Sequence, residues 1–247
     1  MALLKTSNPA LSANSFRLPY AGTGENMTIS GAVNKTGILL ICAVATAAWS
    51  WDRFTVSPET AALPLMIGLI GGLVVALVTV FKKEWSPLTA PLYALLEGLV
   101  LGSVSAMYEA RFHGIAIQAV GLTFGTLLAL LVAYSAGVIR ATEKFKLGVV
   151  AATGGIAIFY LAQFVLGFFG VHFAAINGSG VIGIGFSVGV VIVAALNLVL
   201  DFDFIENGAR SGAPKYMEWY AAFGLMVTLV WLYLEILRLL SKINSRD

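Results

Sequence analysis

Apolar residues fill seven long stretches of this chain, and most polar residues lie in the short segments between those stretches. Each stretch is close to or above the roughly 20 residues that an α-helix needs to cross a bilayer. The pattern therefore predicts seven transmembrane helices, at about 33–54, 61–81, 86–108, 114–140, 147–171, 178–201 and 216–240.

The composition sets this chain apart from soluble proteins. Of its 247 residues, 59% are hydrophobic and 11% are charged, whereas an average soluble domain is roughly 25% charged. A single all-α bundle at 33–240 is predicted, with the lipid bilayer as its surroundings. Residues 1–32 contain no continuous apolar segment, so we expect a flexible cytosolic tail there and no signal peptide. Residues 241–247 are expected to form a short polar C-terminal tail.

Glycines recur throughout the apolar stretches, although long soluble helices avoid them. In membranes, small residues spaced four apart let two helix backbones approach closely. Three such pairs occur, and they predict a tightly packed bundle: Gly98 with Gly102, Gly121 with Gly125, and Gly185 with Gly189.

The distribution of basic residues predicts the orientation of the bundle, because cytosolic connections carry an excess of Lys and Arg. With a cytosolic N-terminus, ten basic residues fall in cytosolic segments and five in external ones. We therefore expect a cytosolic N-terminus, with the polar connection at 203–215 on the same side. Arg238, Lys242 and Arg246 near the C-terminus favour the opposite orientation. The sequence leaves open whether the C-terminal tail is external, the last stretch re-enters, or an earlier stretch does not span.

Few residues fall into patterns that carry chemistry. Gly178 to Gly183 match a dinucleotide-binding fingerprint, but that fingerprint needs a preceding strand, so helix packing explains it better. Cys42 is the single cysteine, and His113 and His172 belong to no metal-ligand spacing and are expected at the membrane surface. No paired nucleophile and base is visible. The net charge of +2 is too small for a nucleic-acid surface. We expect neither an enzyme, nor a resident cofactor, nor nucleic-acid binding.

Glu97 lies at the midpoint of the third apolar stretch. A charged carboxylate there costs roughly 2.5–3.5 kcal/mol or more to insert, so Glu97 is expected to face the bundle interior, either protonated or partnered. Its role is either functional or that of a neutral hydrogen-bonding group between helices.

Two aspartates stand at the end of the sixth stretch. Asp201 and Asp203 are about 200° apart on a helix, so they point in opposite directions if the helix continues. Asn197 shares the face of Asp201, and Glu206 shares that of Asp203. We expect Asp201 to point inward, and Asp203 and Glu206 to lie at the cytosolic surface or cap the connection.

A third acidic position lies near the end of the last stretch. Glu235 is one turn from Arg238, and an ion pair that reaches the membrane surface explains both residues. Glu235 and Arg238 are therefore secondary candidates for a functional role, as are Asp203 and Glu206.

Several segments together resemble the Bax inhibitor-1 family of membrane proteins, in its bacterial YccA-like branch. The similar segments are 7–11 (SNPAL), the Glu97-Gly98 pair, 200–206 (LDFDFIE), 218–220 (EWY) and 232–240 (LYLEILRLL). The resemblance implies six helices around a central last helix, in a bacterial cytoplasmic membrane. It also implies a pH-sensitive calcium leak and, in some bacterial members, modulation of a membrane-anchored protease.

One position departs from the family pattern. The family's sixth helix carries an aspartate that looks like Asp201, and its last helix commonly carries a second aspartate, which shares a proton with the first. In this chain Thr228 falls at about that second position. Two close carboxylates titrate as a coupled unit, whereas a carboxylate opposite a hydroxyl need not. Glu97 is the best substitute for the missing pH-sensing group.

These observations favour a passive cation pathway, with calcium as the expected ion. Ca²⁺ takes six to eight oxygen ligands, and Asp201, Glu97, Asn197 and Thr228 would supply some of them, together with water and backbone carbonyls. The alternative is a non-conducting protein whose bundle packs against a membrane protease or another complex. Ion selectivity and oligomeric state are not fixed by the sequence.

Overall fold

The computed structural model describes residues 25–171 and 173–246, so segment 7–11 and His172 lie outside the described residues. Those described residues form eight α-helices, seven of which are long and apolar enough to cross a membrane. The helices are α1 (Ile29–Val56), α2 (Ala62–Phe81), α3 (Ser86–Glu109), α4 (Ile115–Ser135), α5 (Glu143–Gly167), the short α6 (Ala174–Asn177), α7 (Val181–Arg210) and α8 (Met217–Asn244). The predicted all-α membrane fold is confirmed.

Polar side chains fix several of the helix ends. The hydroxyl of Thr28 accepts the backbone N–H of Gly31 at the start of α1, at 3.0 Å. Between α3 and α4 the chain turns at Gly114, whose φ of 83° is left-handed and favours glycine. The Glu109 carboxylate accepts the backbone N–H groups of Gly114, at 2.5 Å, and Ala116, at 3.1 Å. These contacts satisfy N–H groups that have no partner within the helix.

The last helix, α8, lies at the centre of the bundle. It packs against α1, α3, α4 and α7, and several of its large side chains are almost fully buried, among them Tyr220, Phe223 and Leu232. The outer helices attach to this group: α2 packs against α3, and α5 packs against α7. The residues on α8 are therefore the best shielded of the bundle.

Close backbone contact joins α1 to α3. A Cβ atom at Gly98 would collide with the carbonyl oxygen of Ala43, and one at Gly102 with that of Ala47. This pair of glycines packs as the sequence predicted. The other two pairs do not, because a Cβ atom at any of their four glycines would meet no atom within 4 Å outside its own helix and chain neighbours.

Some helix ends differ from the predicted stretches: α4 ends at Ser135 and α5 at Gly167, five and four residues before the predicted ends, whereas α1 and α7 extend further than predicted. Helix α7 does not end at Asp201 but continues without a break to Arg210. It can continue because Phe202, Phe204 and Ile205 are buried in the core, while the charged residues of its last turns are paired. At the same end of the bundle, Asn26 forms an antiparallel bridge with Pro214. Residues 25–28 thus lie against the α7–α8 connection, and α1 begins four residues before the predicted stretch.

Candidate functional site

Asp201 lies in the interior between α7 and α8. Its exposed fraction is 2%, and neither of its carboxyl oxygens has a hydrogen-bond partner among the described residues. Thr228 of α8 is the polar side chain next to it. The Thr228 hydroxyl bonds to the carbonyl oxygen of Gly224, at 3.3 Å, within its own helix. A buried carboxyl is thus left with unused oxygens, which is costly unless a proton, a water molecule or a cation reaches it.

Asn197, one turn earlier on α7, is also buried but faces a different neighbour. Its side-chain amide donates to the hydroxyl of Thr153 on α5 and to the carbonyl oxygen of Val193, both at 2.8 Å. Asn197 therefore joins α7 to α5 on the flank beside Asp201.

Asp203 and Glu206 lie on the other side of α7 and are partly exposed. Asp203 pairs with Lys146 of α5 at 2.5 Å. Glu206 accepts the hydroxyl of Tyr134 on α4 at 2.5 Å and pairs with Arg210 at 2.6 Å. The unbroken helix thus separates an inward Asp201 from two outward, partnered acids.

Glu97 is not in contact with Asp201. Tyr93, one turn earlier on α3, is the polar side chain next to its carboxyl group. It lies opposite Gly72 of α2, where an added Cβ would be 3.0 Å from Glu97 Oε1. The Tyr93 ring packs edge-on against Phe223 of α8, with ring centroids 4.9 Å apart. Glu97 therefore lies between α2 and α3 and connects to the centre through Tyr93.

Glu235 and Arg238 form the predicted ion pair, at 3.5 Å, but the surface location predicted for Glu235 is wrong. Only 4% of Glu235 is exposed, because Tyr160 of α5 packs against it. The Tyr160 hydroxyl donates to Glu235 Oε1 at 2.9 Å and accepts from Arg238 at 2.8 Å. The second oxygen, Oε2, is buried without a partner among the described residues.

Lys242, one turn beyond Arg238, is a buried cation that the sequence analysis placed in a polar tail. Its ammonium donates to the carbonyl oxygens of Ile176 and Gly183, at 2.8 and 3.0 Å, and to the hydroxyl of Ser187 at 2.9 Å. Thr228, Glu235 and Lys242 are seven residues apart, so they form a polar stripe along one face of α8.

Glu218 is a buried acid that the sequence pattern did not indicate as a site. It is fully buried and pairs with Lys35 of α1 at 2.5 Å and with Lys215 at 3.3 Å. It also accepts the backbone N–H and the hydroxyl of Thr28, both at 2.9 Å. The hydrogen bond to Glu218 raises the pKa of Lys215 above its usual value. Lys215, three residues earlier, is the one partner of Glu218 that helical spacing could have indicated. The other partners, Thr28 and Lys35, lie far away in the sequence.

Among residues 25–171 and 173–246, no three His, Cys, Asp or Glu side chains lie close enough together to hold a metal ion. Asp201 and Glu235 are separate, and each faces its own hydroxyl group, Thr228 or Tyr160.

Seven long apolar helices, a central α8 and buried polar groups along it define an integral, multi-span α-helical membrane protein. The sequence model of the Bax inhibitor 1 like family matches residues 8–245. The chain belongs to that family, and the family predicted from the sequence is confirmed; the YccA-like branch stays a prediction. Neither a curated relative nor a solved structure matches the chain.

Proposed function

We propose that this protein is a passive, pH-sensitive cation leak, with calcium as the transported ion. The observation that carries the proposal is Asp201, a carboxyl inside the bundle whose two oxygens have no hydrogen-bond partner among the described residues. A carboxylate in that position is stabilised by an arriving cation. A purely structural carboxyl would instead be expected to have partners for both of its oxygens, as Glu218 has in Thr28, Lys35 and Lys215.

The oxygens around Asp201 suit weak, transient binding of calcium. Asp201 offers two oxygens and Thr228 a third, whereas Ca²⁺ takes six to eight. Water and backbone carbonyls would complete the shell. Conduction needs a site that attracts an ion without retaining it, and an incomplete set of protein ligands meets that condition.

The charge along α8 favours a slow leak over a fast channel. Arg238 and Lys242 lie beyond Thr228 toward the end of α8, and their positive charges oppose the passage of a cation. Glu235 offsets part of this charge through its pair with Arg238 at 3.5 Å. We therefore expect calcium entry that is measurable over many seconds and well below the rates of selective channels.

Protonation of Asp201 gives the proposal its pH dependence. The neutral carboxyl does not attract cations, and the deprotonated form does, so flux should rise with pH. Thr228 is the polar side chain next to the Asp201 carboxyl, and no charged side chain of the described residues interacts with it.

Purified full-length protein in liposomes that contain a calcium dye tests the proposal. We expect calcium entry above that of protein-free liposomes, increasing between roughly pH 5 and 8. Correctly folded protein without calcium entry would overturn the proposal. That result would favour the alternative of a non-conducting protein that binds a membrane protease or another complex.

A further inference from the structure

Helix α5 is attached to the bundle differently from the other long helices. Val149 is its single buried residue, and among the described residues its main packing partner is α7. A Cβ atom at Gly148, Gly154, Gly155 or Gly167 would meet no atom within 4 Å outside its own helix and chain neighbours. Lipid tails are as apolar as the side chains, so helix association in a membrane depends on close packing and polar contacts. Helix α5 has little close packing against other helices.

Three polar contacts join α5 to α7 and α8, and they come from residues seven apart. Lys146 pairs with Asp203, the Thr153 hydroxyl accepts from Asn197, and Tyr160 bonds to Glu235 and Arg238. Residues i, i+7 and i+14 lie along one stripe of a helix. The stripe is therefore a row of polar contacts along the length of α5. Phe186 of α7 adds aromatic contacts near the Tyr160 end, with ring centroids 5.2 Å from Phe159 and 6.3 Å from Tyr160.

The flank of α7 beneath this stripe is the one next to the proposed pathway. Asn197, the middle partner, is one turn from Asp201 on the same face of α7. Glu235, a partner at one end, has a buried oxygen without a hydrogen bond. Displacement of α5 would therefore uncover both of these partners, Asn197 and Glu235.

We propose that α5 is the movable side wall of the pathway. The contacts of Lys146, Thr153 and Tyr160 hold it closed over α7, and their release admits water and cations to the flank beside Asp201. The gating role rests on the proposed function, whereas the mobility of α5 does not.

Spin-label distances measure the mobility without any flux. Cysteines replace Lys144, at the start of α5, and Ser211, after α7, in a Cys42→Ser background; both positions are exposed. The release variant combines Lys146→Met, Thr153→Val and Tyr160→Phe, which keep the side-chain shape and remove the polar contacts. We expect a longer 144–211 distance to gain population in lipid nanodiscs, by about threefold for each contact removed.

Two controls separate this motion from general loosening. Labels at positions 82 and 211 report on the α2–α3 connection, and their distance should not change in the release variant. Thr123→Val removes a buried hydroxyl that bonds to the carbonyl oxygen of Ala119 in its own helix, at 2.7 Å, and should leave the 144–211 distance unchanged. If the triple variant does not fold, Thr153→Val alone should still produce a smaller shift in the same direction.

Calcium entry tests the gating role. We expect the release variant to leak severalfold faster than wild type and Thr123→Val. An unchanged 144–211 distance would overturn the proposal. A longer distance without faster entry, in a preparation whose wild type conducts, would show that α5 moves without gating. A wild type that does not conduct would remove the proposed function, and the distances would still decide the mobility.

Discussion

Thr228 of α8 lies beside the buried carboxyl of Asp201 on α7, and its hydroxyl bonds to the carbonyl oxygen of Gly224 in its own helix, at 3.3 Å. This relationship joins the two helices at the most shielded part of the bundle. It also occurs at the position where the family commonly carries a second aspartate. A buried carboxyl and a hydroxyl therefore stand where a carboxyl pair is usual.

Thr228→Asp should create a coupled carboxyl pair. Two carboxyl groups in contact titrate in two steps that belong to the pair, because the second charge is opposed by the first. We expect the dependence of calcium flux on pH to become broader or biphasic. Thr228→Asn is the control, because asparagine is similar in size to aspartate but does not titrate. A pH profile of Thr228→Asp that matches Thr228→Asn would show that position 228 is not coupled to Asp201.

The pH response should depend on Asp201 more than on Glu97. Asp201 is buried at the centre of the bundle between α7 and α8, whereas Glu97 is less deeply buried and lies between α2 and α3. Glu97→Gln should therefore keep most of the increase in flux from acidic to neutral pH, and Asp201→Asn should lose it. Flux in liposomes buffered from roughly pH 5 to 8 measures both. A flat profile for Glu97→Gln would restore Glu97 as the pH-sensing group.

The N-terminus and the α7–α8 connection should be cytosolic, because ten of fifteen basic residues then lie in cytosolic segments. Single cysteines at Ser211 and Ser179, in a Cys42→Ser background, should react with an impermeant thiol reagent from opposite sides of the membrane. Labelling of Ser211→Cys from outside intact cells would reverse the orientation.

Glu218→Gln should destabilise the protein. The substitution leaves the ammonium of Lys35 without its buried partner, and loss of one partner of a buried ion pair costs about 3 kcal/mol. The midpoint of thermal unfolding in detergent should fall by several degrees. Glu25→Gln is a matched control, since Glu25 pairs with Lys215 at 3.4 Å but is mostly exposed, and such surface pairs contribute little. Equal midpoints for the two variants would show that the buried network does not stabilise α1 against α8.

The sequence predicted the features that follow from local periodicity. Seven apolar stretches predicted the seven long helices, and helix geometry separated an inward Asp201 from an outward Asp203, although the predicted end at Asp201 was nine residues short of the observed end. The sequence showed that Glu97 lies midway along its apolar stretch. It did not show that Glu97 lies opposite Gly72 of α2, because periodicity does not reveal which helices are adjacent.

Contacts between distant segments could not be predicted in this way. Glu218 binds Lys35, 183 residues earlier, and Lys242 binds carbonyl oxygens of residues at least 59 positions away. Glycine spacing was equally ambiguous: the Gly98 and Gly102 pair packs closely against α1, while Gly185 and Gly189 meet no neighbouring helix within 4 Å. Which glycines are used depends on the arrangement of the whole bundle.

The comparison of Asp201→Asn with Asp203→Asn tests the central claim most directly. Both variants replace an aspartate on α7 by its neutral amide, but Asp201 faces the interior and Asp203 pairs with Lys146 near the surface. In liposomes that contain a calcium dye at neutral pH, Asp201→Asn should reduce calcium entry at least tenfold, by the loss of roughly 1.4 kcal/mol or more of cation stabilisation. Asp203→Asn should not reduce calcium entry; loss of its pair with Lys146 removes one of the contacts that hold α5, so entry should stay the same or rise by up to about threefold. Equal effects of the two substitutions, or normal calcium entry through Asp201→Asn, would contradict a cation pathway past Asp201.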